Sequence, residues 1–464
     1  MKRERFEDLE VIDINSKGKG VLKSNDGRVI FVQGAVPGDK VTIETYKKKG
    51  GYFEARLIEV NRPSPNRINP VCKHFGICGG CKWQNLSYKM QLQFKQKEIL
   101  HNLKNISGMV LPKIDKIKAA EQTYFYRNKM EYAFSDQRWL SAEEIKVKTE
   151  TLEKKGLGFH KAGMWDKVVD IDKCHLQQEP ANAIRNCVKQ FALDNNLEFF
   201  NHKEQSGFLR TLMIRNSSQG EFMVLIQFYR EDIANREAIL KHLKDKFNLT
   251  SLLYCINSKA NDTLYDQEII VYSGSEFITE VMEKLKFKIN AKSFFQTNSN
   301  QAYELYKITR KFAGLKGYEL VYDLYTGTGT IAQFIADKCN KVVGIESVPE
   351  AIAVAKESAE INGITNAFFE VGDIRKVFNQ DFINRHGVAN VVITDPPRNG
   401  MHPDVIKQLL NLTPNKIVYI SCNNATQARD LSLMKEKYKL SKCQALDMFP
   451  QTQHIENIVL LEKI

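Results

Sequence analysis

The chain has 464 residues, of which 43% are hydrophobic and 26% are charged, and its net charge is +12. A chain of this length is expected to form two or three domains, and its composition is that of a globular protein rather than a disordered one. No run of about 18 apolar residues is present, so a transmembrane helix is not expected. The charged N-terminus lacks the apolar core of a secretory signal, so we expect a cytoplasmic protein whose nine cysteines stay reduced.

The first 61 residues predict a small β-barrel. Five strand-like runs alternate with turns, at residues 9–14, 17–21, 29–32, 40–45 and 53–60. About five short strands in a stretch of this length are typical of a small barrel. Three prolines follow and mark a linker: Pro63, Pro65 and Pro70.

Three cysteines lie close together after the linker: Cys72, Cys78 and Cys81. Neighbouring glycines would let the backbone fold around a metal centre, and Cys174 is the best candidate for a fourth ligand. The spacing matches neither the ferredoxin run nor a usual zinc pair, so structural zinc and free core cysteines stay open as alternatives. The remaining cysteines have no partner in the sequence and are interpreted as core residues: Cys187, Cys255, Cys339 and Cys443.

The segment from residue 61 to residue 130 is strongly basic, with thirteen Lys or Arg against three acidic residues. Aromatic residues are interleaved with these charges: Phe75, Trp83, Tyr88, Phe94, Tyr124, Phe125 and Tyr126. Positive charge binds phosphates and aromatic rings stack on unpaired bases, so the segment indicates binding of nucleic acid. The alternative is a solvated surface above core aromatics. Residues 88–103 within it have the apolar periodicity of a helix.

The second half of the chain predicts two further regions. Residues 122–290 alternate strand-like and helical runs, which indicates an α+β domain. From residue 291 the pattern becomes strand, turn and helix, with strands expected at 319–324, 341–346, 390–394 and 416–420. Four strands that alternate with helices predict an α/β fold with an open, mostly parallel, doubly wound sheet.

A glycine-rich turn follows the first of these strands, at residues 325–330. Gly327 and Gly329 let the backbone turn tightly and approach a ligand, in front of a helix N-terminus. Glu346 ends the next strand, where a carboxylate can accept hydrogen bonds from ribose hydroxyls. Asp395 begins a stiffened Asp-Pro-Pro turn at the same edge of the sheet. The turn alone also fits a dinucleotide site, so a nicotinamide-dependent oxidoreductase stays an alternative.

Cys422 lies two residues after the last predicted strand, and Glu456 lies further downstream. A thiol that can attack and a carboxylate that can take a proton, on a nucleotide-cofactor fold, indicate covalent catalysis. An isolated cysteine is more often a core residue, and an isolated glutamate is more often a solvated acid. The motifs that flank both residues favour the catalytic interpretation.

Three C-terminal motifs carry a family resemblance. They are Asp-Pro-Pro-Arg-x-Gly at 395–400, Ser-Cys-Asn-x-x-Thr-x-x-Arg-Asp at 421–430 and Phe-Pro-Gln-Thr-Gln-His-Ile-Glu at 449–456. Together they resemble the RNA uracil-5-methyltransferases over nearly the whole chain, and the N-terminal barrel resembles the TRAM domain of that family. The resemblance implies S-adenosylmethionine as the cofactor, and it implies binding residues at Gln296, Tyr325, Glu346 and Asp395.

The resemblance also implies a domain organisation. A TRAM barrel at residues 1–61 precedes a central domain at 62–290 and a catalytic domain at 291–464. A helix near residues 88–118 is expected to pack on the catalytic domain. No membrane and no obligate protein partner are expected.

The family's chemistry gives Cys422 the role of a nucleophile that adds to C6 of uracil and Glu456 the role of the base that removes the C5 proton. The cysteine spacing resembles that of the family's iron–sulfur branch, which implies a 4Fe–4S cluster on Cys72, Cys78, Cys81 and Cys174. Barrel and cluster together favour ribosomal RNA, specifically 23S, as the RNA partner. The same reaction on transfer RNA, or a non-catalytic RNA-binding protein, stays an alternative.

Overall fold

Residues 5–62 form a closed five-stranded barrel in the computed structural model, which describes residues 3–147 and 152–464. The strands are β1 (Arg5–Ile14), β2 (Gly20–Lys23), β3 (Val29–Val32), β4 (Lys40–Lys49) and β5 (Tyr52–Arg62), in the order β1-β2-β3-β5-β4. The predicted barrel is confirmed. Strands β4 and β5 are longer than expected because they pair as a hairpin through a lysine run that looked like a turn. Alternate side chains such as Leu22, Ile30 and Ile43 fill the interior.

Buried polar contacts fasten the barrel to the segment that follows it. The side chain of Asp39 is fully buried, and its Oδ2 lies 2.5 Å from Nη2 of Arg67. Its other oxygen accepts a hydrogen bond from the amide of Ser64 at 2.8 Å. Nδ2 of Asn85 donates to the carbonyl of Gly34 at 2.8 Å. The linker is therefore an ordered part of the structure and not a loose tether.

Helix α1 (Tyr88–Asn102) comes next, continues as a π-helical turn at Leu103–Ser107, and is followed by strand β6 (Asp115–Lys118). Gly108 ends the helical segment with a φ of 63°, a left-handed conformation that glycine adopts without strain. The implied helix up to about residue 118 is therefore too long, since its last part is a strand. Ile99 and Leu103 are fully buried in the core beneath the C-terminal sheet.

The middle of the chain forms a seven-stranded sheet in the order β13-β12-β11-β10-β7-β8-β9. Its elements are β7 (Lys129–Ser135), α2 (Ala142–Val147), β8 (Gly156–His160), β9 (Val168–Asp170), α3 (Ala181–Asp194), β10 (Leu209–Asn216), β11 (Phe222–Phe228), α4 (Ile233–Lys246), β12 (Ser251–Ile256) and β13 (Ile270–Gly274). Every residue of β10 and β11 is buried, so both faces of the sheet centre are covered. Helices α3 and α4 share a core with one face.

The other face packs on a hairpin that leads into the C-terminal region. The hairpin consists of β14 (Phe277–Met282) and β15 (Leu285–Asn290), and α5 (Ser299–Ala313) follows it. Met213 and Met223 of the central sheet share a core with Ile278 and Phe287 of the hairpin. This core continues into the C-terminal sheet, so the two sheets are joined by apolar packing.

The C-terminal region forms an eight-stranded sheet in the order β18-β17-β16-β19-β20-β22-β21-β6. Its further elements are β16 (Leu320–Leu324), α6 (Thr330–Ile335), β17 (Lys341–Glu346), α7 (Pro349–Ile361), β18 (Ala367–Val371), α8 (Ile374–Val377), α9 (Gln380–His386), β19 (Val391–Thr394), α10 (Pro403–Leu412), β20 (Lys416–Ser421), α11 (Asn424–Ser432), β21 (Tyr438–Leu446) and β22 (Glu456–Lys463). The four predicted strands form the parallel centre, which confirms the fold class. The sequence pattern missed β18, β21 and β22, as well as the contribution of β6.

The parallel strands bring their carboxyl ends, and the loops that follow them, to one side of the sheet. β16, β17, β19 and β20 run parallel, so their carboxyl ends lie side by side. The chain leaves β16 toward β17 on one side, and β19 lies on the other side of β16. Ligands bind at such a switch point in open α/β sheets. The domain limits at residues 61 and 290 remain a prediction. Within the described residues, no helix is both long and apolar enough to span a membrane.

Candidate active site

Cys422 and Glu456 are brought together by the pairing of β20 with β22. The antiparallel register aligns Ser421, the last residue of β20, with Asn457, the second residue of β22. The next residues toward that end of the two strands are Cys422 and Glu456, which therefore lie beside each other. Burial raises the pKa of the Cys422 thiol, and the negative charge of Glu456 raises it further.

Acids with raised pKa values lie around this pair. Burial raises the pKa of Glu456 well above its ordinary value, and the charge of Asp395 adds to the effect. Burial also raises the pKa of Asp395 to about 7, with a further contribution from Asp323. Asp323 is itself raised to about 7, mainly because it is buried. The pKa of the buried Tyr306 on α5 is raised by burial and then by Asp395 and Asp323, so its phenol faces the same acids.

Arg398 supplies positive charge at this site. It lowers the pKa of both Cys422 and Glu456, against the direction of burial. Its side chain is exposed, but its backbone carbonyl accepts hydrogen bonds from Nδ2 of Asn423 at 2.9 Å and from Oγ1 of Thr426 at 3.1 Å. Arg398 was not among the predicted site residues. Its position after two prolines at a strand end was the available signal, because prolines stiffen the backbone that carries it.

The Arg-Asp pair that ends the cysteine motif holds the Pro-Pro loop. Asp430 is fully buried and accepts a hydrogen bond from the amide of Met401 at 2.8 Å. Arg429 donates through Nη2 to the carbonyl of Asn399 at 2.9 Å. Gly400 has a φ of 78°, and a Cβ there would lie 2.6 Å from Oδ2 of Asp430. These motif residues thus fix the loop that carries Asp395 and Arg398.

The glycine-rich turn is packed tightly against its neighbours. Gly327 and Gly329 have φ values of 57° and 72°. A Cβ on Gly329 would lie 2.7 Å from Cε1 of Phe369, so no larger residue fits. The carboxylate of Glu346 accepts a hydrogen bond from the amide of Gly327 at 3.2 Å. The turn and the acid of the next strand are therefore in direct contact, and α6 behind the turn has only six residues.

Two of the remaining residues expected to bind the cofactor lie beside this turn at the carboxyl ends of the parallel strands, and the third, Gln296, lies in a separate loop. Tyr325 has a φ of 64°, and burial raises its pKa to about 12. Tyr325, Glu346 and Asp395 share one edge of the sheet. Gln296 lies in the loop before α5, and its carbonyl accepts a hydrogen bond from Nδ2 of Asn128 at 3.0 Å. The binding roles of these four residues remain a prediction.

The four cysteines of the proposed metal site line one cavity of about 470 Å³, which is separate from the Cys422–Glu456 pair. Burial raises the pKa of Cys78 to about 11 and that of Cys81 to about 12, and neighbouring thiol groups add to both shifts. Across residues 3–147 and 152–464, no three His, Cys, Asp or Glu side chains are grouped to hold a metal ion. The iron–sulfur cluster is therefore still only a prediction. Cys255, Cys339 and Cys443 are buried, as expected of core residues.

Comparison with known proteins identifies this fold as that of an S-adenosylmethionine-dependent methyltransferase, and it also identifies the family. The family model described as tRNA (uracil-5-)-methyltransferase matches residues 88–464. The chain therefore belongs to that family, as the C-terminal motifs predicted. The oxidoreductase alternative is wrong, and the protein is an RNA methyltransferase.

The relatives cover the whole chain. An uncharacterized RNA methyltransferase of Porphyromonas gingivalis is 48% identical over 461 residues, which are 98% of this chain and 99% of the relative. Another, from Bacteroides thetaiotaomicron, is 49% identical over 451 residues, or 96% and 99%. The crystal structure of Pyrococcus abyssi tRNA (uracil-54, C5)-methyltransferase with S-adenosyl-L-homocysteine has a TM-score of 0.77 at 29% identity, and the match covers 99% of this chain and 100% of that one.

Gly329→Ala should weaken binding of S-adenosylmethionine by about tenfold or more, a loss equivalent to about 1.4 kcal/mol. The added Cβ would lie 2.7 Å from the ring of Phe369 and 2.9 Å from Cβ of Ala355, so the turn must shift. Gly363→Ala is the matched control, because Gly363 has a φ of 62° with no atom within 4 Å. Isothermal titration calorimetry would measure both affinities. Equal losses in the two variants would contradict a binding role for the turn.

Proposed function

We propose that the protein methylates C5 of a uridine in RNA through a covalent bond between Cys422 and C6 of the base. The observation that carries the proposal is the register of β20 and β22, which sets a thiol beside a buried carboxylate at the cofactor edge of the sheet. C5 of uracil is a poor nucleophile and needs activation before it can accept a methyl group. A neighbouring thiol and base are the groups that this chemistry requires.

S-adenosylmethionine supplies the methyl group when it is bound. The Cys422 thiolate adds to C6, and the electron pair of the C5–C6 double bond makes C5 nucleophilic. Once C5 carries the methyl group, Glu456 takes the C5 proton. The electrons of that C–H bond restore the double bond, and the C6–sulfur bond breaks to return the thiolate.

Burial and the charge of Glu456 raise the pKa of the Cys422 thiol and so oppose formation of the thiolate, whereas other features of the site favour the two roles. Burial raises the pKa of Glu456, which makes its carboxylate a stronger base than an exposed one. Arg398 favours the ionised forms of both Cys422 and Glu456, which the two steps need. The target nucleotide must leave its stack to reach both groups, because neither is accessible to a base within a helix.

We favour 23S ribosomal RNA as the substrate, on the resemblance of the cysteine spacing to the iron–sulfur branch of the family. Transfer RNA is the second candidate, because the P. abyssi tRNA enzyme is similar to this chain over its whole length, barrel included. Mapping of methylated uridines in both RNA classes from a deletion strain would decide between them. Loss of a methyluridine from transfer RNA alone would overturn the ribosomal assignment.

We also propose that the four cysteines that line the cavity hold a 4Fe–4S cluster. Thiols are the ligands that such clusters use, and the rest of the lining offers both apolar and cationic groups. Arg127 and Lys173 would offset the negative charge of thiolates there. The cluster would tie the segment at residues 72–81 to Cys174 by iron–sulfur bonds, and no step of the methylation passes through it.

Cys422→Ala should abolish methyl transfer and keep cofactor binding, because the thiol acts on RNA. Glu456→Gln should stall after methyl transfer, since nothing then removes the C5 proton. A covalent protein–RNA adduct should therefore accumulate as a slow band in denaturing gels. The variant with both changes is the control and should form no adduct. Full turnover by Cys422→Ala would refute the covalent mechanism.

Arg398→Ala should move the rising limb of the pH profile of kcat/KM to higher pH by about half to one unit. The active forms of Cys422 and Glu456 are deprotonated, and Arg398 lowers the pKa of both groups. Arg398→Lys keeps the charge and should shift the limb much less. A profile that does not move in Arg398→Ala would show that this charge plays no part.

Anaerobically purified protein should contain iron and sulfide and absorb broadly in the visible range. Cys81→Ser should lose most of this iron because it removes one ligand. Cys187→Ser is the control, since Cys187 does not line the cavity. Stoichiometric zinc without iron in the wild-type protein would overturn the assignment.

A further inference from the structure

Helix α1 contacts both chain segments that carry the catalytic pair, although it precedes the central sheet in the sequence. Nδ2 of Asn102 donates to Oδ1 of Asn424, and Nδ2 of Asn424 donates to Glu98 at 3.4 Å. Asn424 begins α11, two residues after Cys422. Other side chains of α1 contact residues 447–454. We call these residues the base segment, because they end two residues before Glu456.

A buried ion pair anchors the start of the base segment. The side chains of Lys95 and Asp447 are both completely buried, with Nζ 2.5 Å from Oδ1. Nζ also donates to the carbonyl of Phe449 at 3.2 Å, and Oδ2 of Asp447 accepts from the hydroxyl of Tyr88 at 2.8 Å. Desolvation of two charges offsets most of their attraction, so such a pair adds little net stability, but loss of one partner leaves the other charge buried and unpaired. Because its side chain is completely buried, Lys95 is not part of any RNA-binding surface. It was counted among the basic residues that could contact phosphates, and for Lys95 this prediction is wrong.

A second contact fixes the middle of the base segment. Gln451 is buried and has a φ of 67°, an uncommon conformation that persists only where its surroundings enforce it. Gln91 of α1 donates to its side-chain oxygen at 3.0 Å and accepts from its amide at 2.9 Å. The carbonyl of Gln451 accepts from the amides of Lys82 and Trp83 at 2.9 and 3.0 Å. The segment that carries the cysteines thus also contacts the base segment.

Other side chains donate hydrogen bonds to backbone carbonyl groups of the base segment, which has no regular secondary structure. Gln301 donates to the carbonyl of Asp447 at 2.7 Å, and Asn298 donates to that of Met448 at 2.9 Å. The hydroxyl of Tyr126 donates to the carbonyl of Pro450 at 3.0 Å. A buried segment without regular structure needs such partners for its backbone. Its conformation is therefore set by side chains from elsewhere in the chain.

We propose that Lys95 and Gln91 are positioning residues for proton removal by Glu456. Both side chains bind the base segment. Because α1 also contacts the start of α11 beside Cys422, one helix determines the distance and orientation between Glu456 and Cys422. Both side chains are completely buried, and neither can touch RNA. Displacement of a reacting group by about 1 Å can cost a factor of about 100 in rate. The proposal rests on the proposed function.

Lys95→Met tests this role, because methionine has a similar length and no charge. We expect kcat to fall by about ten- to a hundredfold. KM for RNA should fall together with kcat, so that kcat/KM changes by less than about twofold, because the steps up to methyl transfer are untouched. The methylated adduct on Cys422 should also accumulate in denaturing gels, as in Glu456→Gln, because proton removal becomes the slow step. Gln91→Met should give the same fall in kcat and the same adduct, and it leaves no unpaired buried charge. It therefore tests the proposal even if Lys95→Met does not fold.

Glu319→Gln is the matched control for lost stability. Glu319 is a buried carboxylate that accepts hydrogen bonds from the amides of Lys316 and Gly317 at 2.9 and 3.1 Å, just before the amino end of β16. Glu319 lies at the amino ends of the parallel strands, far from the carboxyl ends that carry the site. Glu319→Gln should therefore lower the melting temperature without accumulation of the adduct. Equal kcat and equal adduct in Lys95→Met, Gln91→Met and Glu319→Gln would overturn the positioning role. Failure of the wild-type protein to methylate any RNA uridine would instead overturn the proposed function itself.

Discussion

The pairing of β20 with β22 is the constraint on which the site depends. Alignment of Ser421 with Asn457 sets Cys422 beside Glu456 at the end of the sheet where β19 delivers the Pro-Pro loop. A slip of one residue would turn the carboxylate to the other face of the sheet. A buried amide pair opposes such a slip, because Nδ2 of Asn457 donates to Oε1 of Gln427 at 2.7 Å. Gln427 also donates to carbonyls of both strands, which ties α11 to the register.

The acids that make this edge chemically useful also make it costly to the fold. Asp323 and Asp395 have pKa values raised to about 7, and Glu456 is raised as well. A raised pKa in the folded state stabilises the protein at pH values below the ordinary pKa, and this contribution is lost as pH rises through the raised value. Near neutral pH these buried acids therefore lower the stability of the fold. A sulfonium cofactor carries positive charge, so its binding would offset part of this cost.

Local pattern and motif predicted much of the fold and part of the site. Runs of Val and Ile marked the parallel strands because both faces of those strands are buried, and the flanking motifs singled out Cys422 and Glu456. The apposition of these two residues was implied only by the family resemblance and not by local pattern, since it depends on a strand pair that α11 and β21 separate in sequence. Lys95 was counted with the basic surface because lysine on a helix is nearly always exposed. Only the fold shows that its partner is Asp447.

The buried pair of Lys95 and Asp447 joins positions that are 352 residues apart. Because α1 is synthesised before residue 447, Lys95 has no counter-charge during most of synthesis. Until residues 447–463 have been made, β20 is also an unpaired edge in what becomes the interior of the sheet. A nascent polypeptide that stops short of β22 therefore lacks both the buried ion pair and one partner of β20. Premature termination near this point would leave an exposed strand edge that chaperones and proteases can recognise.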